Sequence, residues 1–172
     1  MENLGRERLD NLNHLLSEYN SLYALTARRM GISQSTFDIL YALTGEDGIT
    51  QKQICDMTYS SKQTINSSVR NMVADGLVAM KPGRGREVHV FLTDKGRELA
   101  GRTVERVMAA EQRALEAMTQ QQSDIVYGLL RQNVQMLREE LDGIFEEGNA
   151  EGEHCSAGSE RSSAESADNK HV

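Results

Sequence analysis

The residues best suited to do chemistry lie in one stretch, Ser60-Ser61-Lys62-Gln63-Thr64-Ile65-Asn66-Ser67-Ser68-Val69-Arg70-Asn71. They form no nucleophile–base pair and no metal-ligand set. What they offer is hydrogen bonding and charge pairing. Ile65, Val69, Met72 and Val73 recur at helical spacing and supply an apolar docking side. Lys62, Gln63, Asn66, Ser67, Arg70 and Asn71 form the other side. No acidic residue occurs from Ser60 to Ala74. A helix with that outward face suits duplex DNA, because amides pair with base edges while cations and hydroxyls bind phosphates. Gln63, Asn66 and Ser67 fall in the first two turns and are the expected base readers. Lys62 would meet guanine or phosphate. Ser60, Ser61 and Thr64 would bond phosphates beside the free amides of the helix start. Arg70 and Asn71 would reach the flanking backbone. A capping role competes for Gln63, and simple solvation competes for Asn66.

The charge distribution supports this reading. The chain carries a net charge of -7, yet residues 50–97 hold eight basic and four acidic side chains. A local basic face is what a polyanion needs, whatever the total. Lys81, Arg84 and Arg86 stand in a loop with Pro82, Gly83 and Gly85, and Val88, Val90 and Leu92 alternate after it. A period of two after a long helical period marks a hairpin. Its cationic tip could enter a minor groove.

The elements that position these residues follow from periodicity. Leu9, Leu12, Leu16, Tyr19, Leu22 and Tyr23 predict a helix over 5–30. Ser35 and Asp38 read as a capping box for a second helix, with Phe37, Leu40, Tyr41 and Leu43 inward. Residues 45–48 read as a turn. Thr50 and Gln53 open a short helix that ends near Tyr59. Ser60 and Gln63 repeat the capping pattern for the reading helix, which Gly76 closes. Strands follow at 77–80 and 88–92. One helix is expected from Thr93 to about Met118. Another is expected after Ser123, with Val126, Leu130, Val134, Leu137, Leu141 and Ile144 as its stripe. The expected fold is mainly α (α+β): a winged helix-turn-helix at about 35–97, with long N- and C-terminal dimerisation helices at 5–30 and 98–146. Residues 1–147 would be one domain and 148–172 a disordered acidic tail.

Composition excludes several classes. Apolar residues make up 38 % of 172, a thin core for a monomer, so the long apolar helices invite a second copy. The two cysteines, Cys55 and Cys155, and the four histidines have no metal-ligand spacing. No cofactor, metal or catalytic residue is expected, and an enzyme reading is poor. Cys55, just before the reading helix, is a candidate redox site or a small buried apolar residue. No run approaches a membrane span and no signal pattern opens the chain, which points to the cytoplasm. The alternative is a protein-interaction module built on a winged helix without specific DNA readout.

Gln63–Val78 and Val90-Phe91-Leu92-Thr93-Asp94-Lys95-Gly96 together resemble the MarR family of bacterial transcriptional regulators. The former stretch is similar to the family's recognition helix and the Gly-Leu leading to the wing. The latter is similar to its Leu-Thr-x-x-Gly. The resemblance spans roughly 8–146. It differs at Arg84, where members often carry Asp two residues before the wing arginine (here Arg86), and at Met80, where many carry arginine. It implies a homodimer on a near-palindromic operator, a repressor or other regulator released by a signal. It further implies small aromatic or phenolic ligands in a cleft, for which Tyr19, Tyr23, Phe37 and Tyr41 are the candidate lining. Arg86→Ala is expected to weaken binding to all duplexes.

Overall fold

A computed structural model describes the backbone of residues 2–83, 85 and 87–156, and side chains within 5–144. Its elements run α1 (Glu2–Arg29), α2 (Gln34–Gly45), β1 (Ile49–Thr50), α3 (Gln51–Thr58), α4 (Lys62–Ala74), β2 (Val78–Pro82), β3 (Val88–Leu92), α5 (Asp94–Arg102), α6 (Val104–Glu116) and α7 (Gln120–Ser156). The chain divides into two units, 1–114 and 115–172.

In the first unit α2 is the hub. Phe37, Ile39, Leu40, Ala42 and Leu43 are all buried, so this helix is apolar nearly all round, as a helix enclosed by neighbours must be. Around it pack α1, α3, α4, α5 and β3. Ile54, Ile65, Val69, Met72, Val90 and Val104 complete the core. Val73, expected on the docking side, is 40 % exposed. It lies one position beyond the arc that Ile65, Val69 and Met72 define.

The sheet is antiparallel with order β1-β3-β2. The short β1 has no signature in the sequence, since two residues carry no period. Pro82, expected in the hairpin loop, instead ends β2 opposite Val88. It is tolerated there because β2 is an edge strand and needs no amide on its free side.

Capping corrects two boundaries and bears out a third. Ser33, not Ser35, caps α2 and accepts from the Thr36 amide at 3.1 Å. Ser61, not Ser60, caps α4 and accepts from the Thr64 amide at 3.1 Å. The Thr50–Gln53 box at α3 forms reciprocally as expected. At the other end of α4, Gly76 has φ +70. Its amide donates to the Val73 carbonyl and that of Leu77 to the Met72 carbonyl, the Schellman closure that favours glycine.

The helix expected from Thr93 to Met118 is broken at Thr103, where φ is -123 and ψ is -90. Thr103 is buried and its hydroxyl donates to the Leu99 carbonyl. That local bond competes with helix continuation and turns Val104 into the core.

The second unit is dominated by α7. It begins at Gln120 rather than after Ser123, because Thr119 and Gln122 form a reciprocal cap. The helix also runs past 147, where composition places the start of a disordered tail, as far as Ser156. The rest of that tail, 157–172, lies outside the described residues. Val126, Leu130, Val134, Leu137, Leu141 and Ile144 are between 44 % and 62 % exposed.

Candidate nucleic-acid interface

The reading helix stands as its sequence dictates. Ile65, Val69 and Met72 are buried against α2 and α3. Ser68 Oγ donates to Ser35 Oγ at 2.9 Å and ties α4 to the start of α2. Lys62, Gln63, Thr64, Ser67, Arg70 and Asn71 are exposed, and Asn66 is half-buried. Among the described residues, the side chains of Gln63, Asn66, Ser67, Arg70 and Asn71 form no hydrogen bond or ion pair, so their donors and acceptors remain available to a ligand. Because Ser61 takes the cap, Gln63 has no capping duty. Ser61 and Thr64 are themselves engaged, with hydroxyls 2.8 Å apart. Ser60 is half-buried and its hydroxyl leans on the Thr58 carbonyl at 3.4 Å.

Sequence reasoning missed Tyr59. It is 93 % exposed and has φ 51, a left-handed backbone rare outside glycine. It caps the C-terminus of α3, three residues before α4 begins. Only an expectation of a tight helix-turn-helix bend could have pointed to it.

At the wing, Lys81 is exposed and its Nζ sits 4.6 Å from the centre of the Phe91 ring, a cation–π contact at the hairpin's flank, not at its tip. Arg84 and Arg86 lie outside the described residues. The base of the wing is knotted to α5. Thr93 caps α5 by accepting from the Gly96 amide at 3.0 Å, and its hydroxyl hydrogen is shared between the Gly76 and Leu77 carbonyls. The Thr93 amide donates to the Leu77 carbonyl at 3.0 Å. The Gly-Leu and the Leu-Thr-x-x-Gly of the sequence thus touch each other. Asp47 adds a second tie, accepting from the Leu92 amide at 2.9 Å and pairing with Arg97 at 3.1 Å.

The four aromatic residues Tyr19, Tyr23, Phe37 and Tyr41 line one cleft of about 640 Å³ in the first unit. Its other charged walls are Asp38 and Glu111. Glu111, on α6, was not singled out in the sequence. Nothing marks it among the three glutamates of an amphipathic helix. Its carboxylate accepts from the Tyr23 hydroxyl at 2.6 Å and the Tyr41 hydroxyl at 2.7 Å. The Tyr23 and Tyr19 hydroxyls are 3.0 Å apart. Burial first, and then the bond to Glu111, push the Tyr41 phenol up to about 12. Burial and the bond to Glu111, with a hydrogen bond to Tyr19 added, raise Tyr23 further. Burial raises the Asp38 carboxyl, while its bond from Gln34 pulls the other way.

A raised phenol stabilises the fold while protonated. That contribution is complete below the ordinary tyrosine range near 10 and is lost as pH rises through about 12 for Tyr41. Two of the five tyrosines are therefore expected to ionise late in a phenolate absorbance titration, and Tyr41→Phe should remove one late step. Five tyrosines ionising together near the ordinary value would contradict the hydrogen bonds to Glu111.

Cys55 has a free thiol, half-buried against the core. Among the described residues no His, Cys, Asp or Glu group could hold a metal, and no helix is long and apolar enough to cross a membrane.

A three-stranded wing behind a helix-turn-helix with a free polar reading face defines the winged helix-turn-helix class. Residues 27–87 match the model of the MarR family. A MarR family regulator from Neisseria meningitidis is similar in structure with TM-score 0.70 and 18 % identity, covering 78 % of this chain and 96 % of that one. A MarR family transcriptional regulator from Silicibacter pomeroyi DSS-3 has TM-score 0.60 and 26 % identity, covering 75 % and 93 %. The PcaV transcriptional regulator from Streptomyces coelicolor, solved in complex with its natural ligand, has TM-score 0.53 and 22 % identity, covering 72 % and 91 %. No curated protein matches the chain in sequence.

Proposed function

We propose that the protein is a homodimeric, sequence-specific double-stranded DNA-binding repressor of the cytoplasm, released from its operator by a small ligand. One observation carries the DNA reading: an exposed, acid-free helix face with unengaged amides and cations on α4. Gln63, Asn66 and Ser67 read bases, Lys62 and Arg70 hold the backbone, and Lys81, Arg84 and Arg86 serve the wing. Support for the dimer comes from α1 and α7. Leu9, Leu15, Leu16, Leu22 and Leu25 of α1 are 43 % to 61 % exposed in the single chain, as are the apolar positions of α7 to a similar degree. Soluble monomers rarely leave so much contiguous apolar surface bare. Two reading helices then address successive major grooves of an inverted repeat, about 34 Å apart. A ligand in the aromatic cleft favours a dimer whose helices no longer fit both grooves.

The test is selection of random duplexes by the purified protein, repeated in rising salt. Enrichment of one inverted repeat with steep salt dependence is expected. Asn66→Ala should change the preferred base at one position per half-site, costing about 1–3 kcal/mol there. Arg70→Ala should weaken all duplexes alike and flatten the salt dependence. Equal behaviour of the two variants would refute the division between base reading and backbone contact. No retained duplex even at low salt would refute the function.

A further inference from the structure

We propose that the cleft takes an organic cation with a flat apolar body, in preference to a phenolate or carboxylate. This names the ligand class of the effector site above and so rests on that reading. Among the described residues the charged groups of the lining are Asp38 and Glu111, both acids, with no lysine, arginine or histidine beside them. Neither acid is in an ion pair among the described residues. The hydrogen-bond partners of Glu111 are two neutral phenols, and that of Asp38 is the neutral amide of Gln34. Phenol donors fix the Glu111 carboxylate in place and leave its charge uncompensated. The charge is therefore preorganised for a cation and set against an anion.

The rings agree with the acids. Tyr19 and Tyr23 have centroids 5.3 Å apart, Tyr23 and Phe37 6.2 Å, and Phe37 and Tyr41 6.0 Å, so the wall is a continuous aromatic surface. The faces of such rings are electron-rich and attract cations within about 6 Å. A flat apolar body gains by displacing water from the same wall, and 640 Å³ suits a molecule of drug size. An anion of equal shape would gain the apolar contact and lose it again to repulsion from two partly buried carboxylates.

The test compares three probes that share one ring system: 1-naphthylmethyl-trimethylammonium, neutral 1-naphthylmethanol and anionic 1-naphthylacetate. Each is titrated calorimetrically into the full chain. The cation is expected to bind about tenfold more tightly than the alcohol, and the acetate most weakly. Glu111→Gln should bring the cation down to the level of the alcohol while the alcohol itself is unchanged. Asp38→Asn should lower the cation by a smaller factor, and it serves should Glu111→Gln fail to fold. Glu98→Gln, an exposed acid beside Arg102, should change nothing, which separates the cleft from the overall negative charge. Equal or tighter binding of the acetate overturns the proposal, as does a cation preference that survives Glu111→Gln. Failure of all three probes overturns it too, since a side chain of a second copy would then fill the cleft. Saturation by the cation without loss of duplex binding leaves the ligand class standing and overturns only the release of DNA.

Discussion

Gly96→Ala is expected to cost about 3 kcal/mol, the upper end for overpacking, and to lower the melting temperature by on the order of 10 °C. A Cβ at this position would stand 2.0 Å from the Leu77 carbonyl oxygen and 3.0 Å from its carbon. Those are backbone atoms and cannot rotate away. The same carbonyl accepts from the Thr93 amide and hydroxyl, so pushing it aside also breaks the α5 cap and the seam between α4 and the wing. Gly101→Ala is the control. Its added methyl would meet only the Glu105 side chain, at 3.7 Å. Alanine there should leave stability unchanged or raise it by up to about 1 kcal/mol through helix propensity. The Gly96→Ala melt should fall, and that of Gly101→Ala should stay with the parent or rise. A Gly96→Ala melt within a degree or so of the parent would mean that α5 does not close on Leu77 as described.

The other large effect concerns assembly. Leu130→Glu with Leu137→Glu places two charges on the apolar stripe of α7, where the native side chains are 44 % and 54 % exposed in the single chain. In a dimer both would be buried, so the paired substitution is expected to give monomers in sedimentation. Losing one of two linked reading heads should then reduce operator affinity by about 10²- to 10⁴-fold. The fold of the first unit should persist, since its core contains no residue of α7. A protein that stays dimeric with both glutamates, or a monomer that binds the operator as well as the parent, would contradict the proposed assembly. Far-ultraviolet dichroism distinguishes dissociation from unfolding.

The reading helix was legible because its two faces differ in residue type over three turns. Ile65, Val69 and Met72 are spaced for burial, and the polar face contains no acid, so period and composition pointed the same way. The wing was legible for the same reason, since alternation at 88–92 follows a long helical period. Caps were read less well. Ser33 and Ser35, like Ser60 and Ser61, are near neighbours of the same chemistry, and only backbone geometry decides which hydroxyl faces an amide two or three residues on. The break at Thr103 was hidden because Thr93–Met118 keeps a helical apolar pattern on both sides of it. The cleft was half legible. Tyr19, Tyr23, Phe37 and Tyr41 were named as its lining through the family resemblance, since an aromatic stripe alone reads equally as core. Glu111 comes from a third helix 70 residues beyond Tyr41, and no local pattern brings them together.

One element joins the two ends of the first unit. Along α2, Ser35 touches Ser68 of the reading helix and Tyr41 touches Glu111 in the cleft. The two contacts are six residues apart, about 9 Å of helix rise. Between them Phe37, Ile39 and Leu40 are locked in a close-packed interior. A close-packed interior transmits strain, so under the proposed release a displacement at Tyr41 is expected to reach Ser68 as a change in aim. The lever of that proposal is a single short helix, and its fulcrum is the core itself.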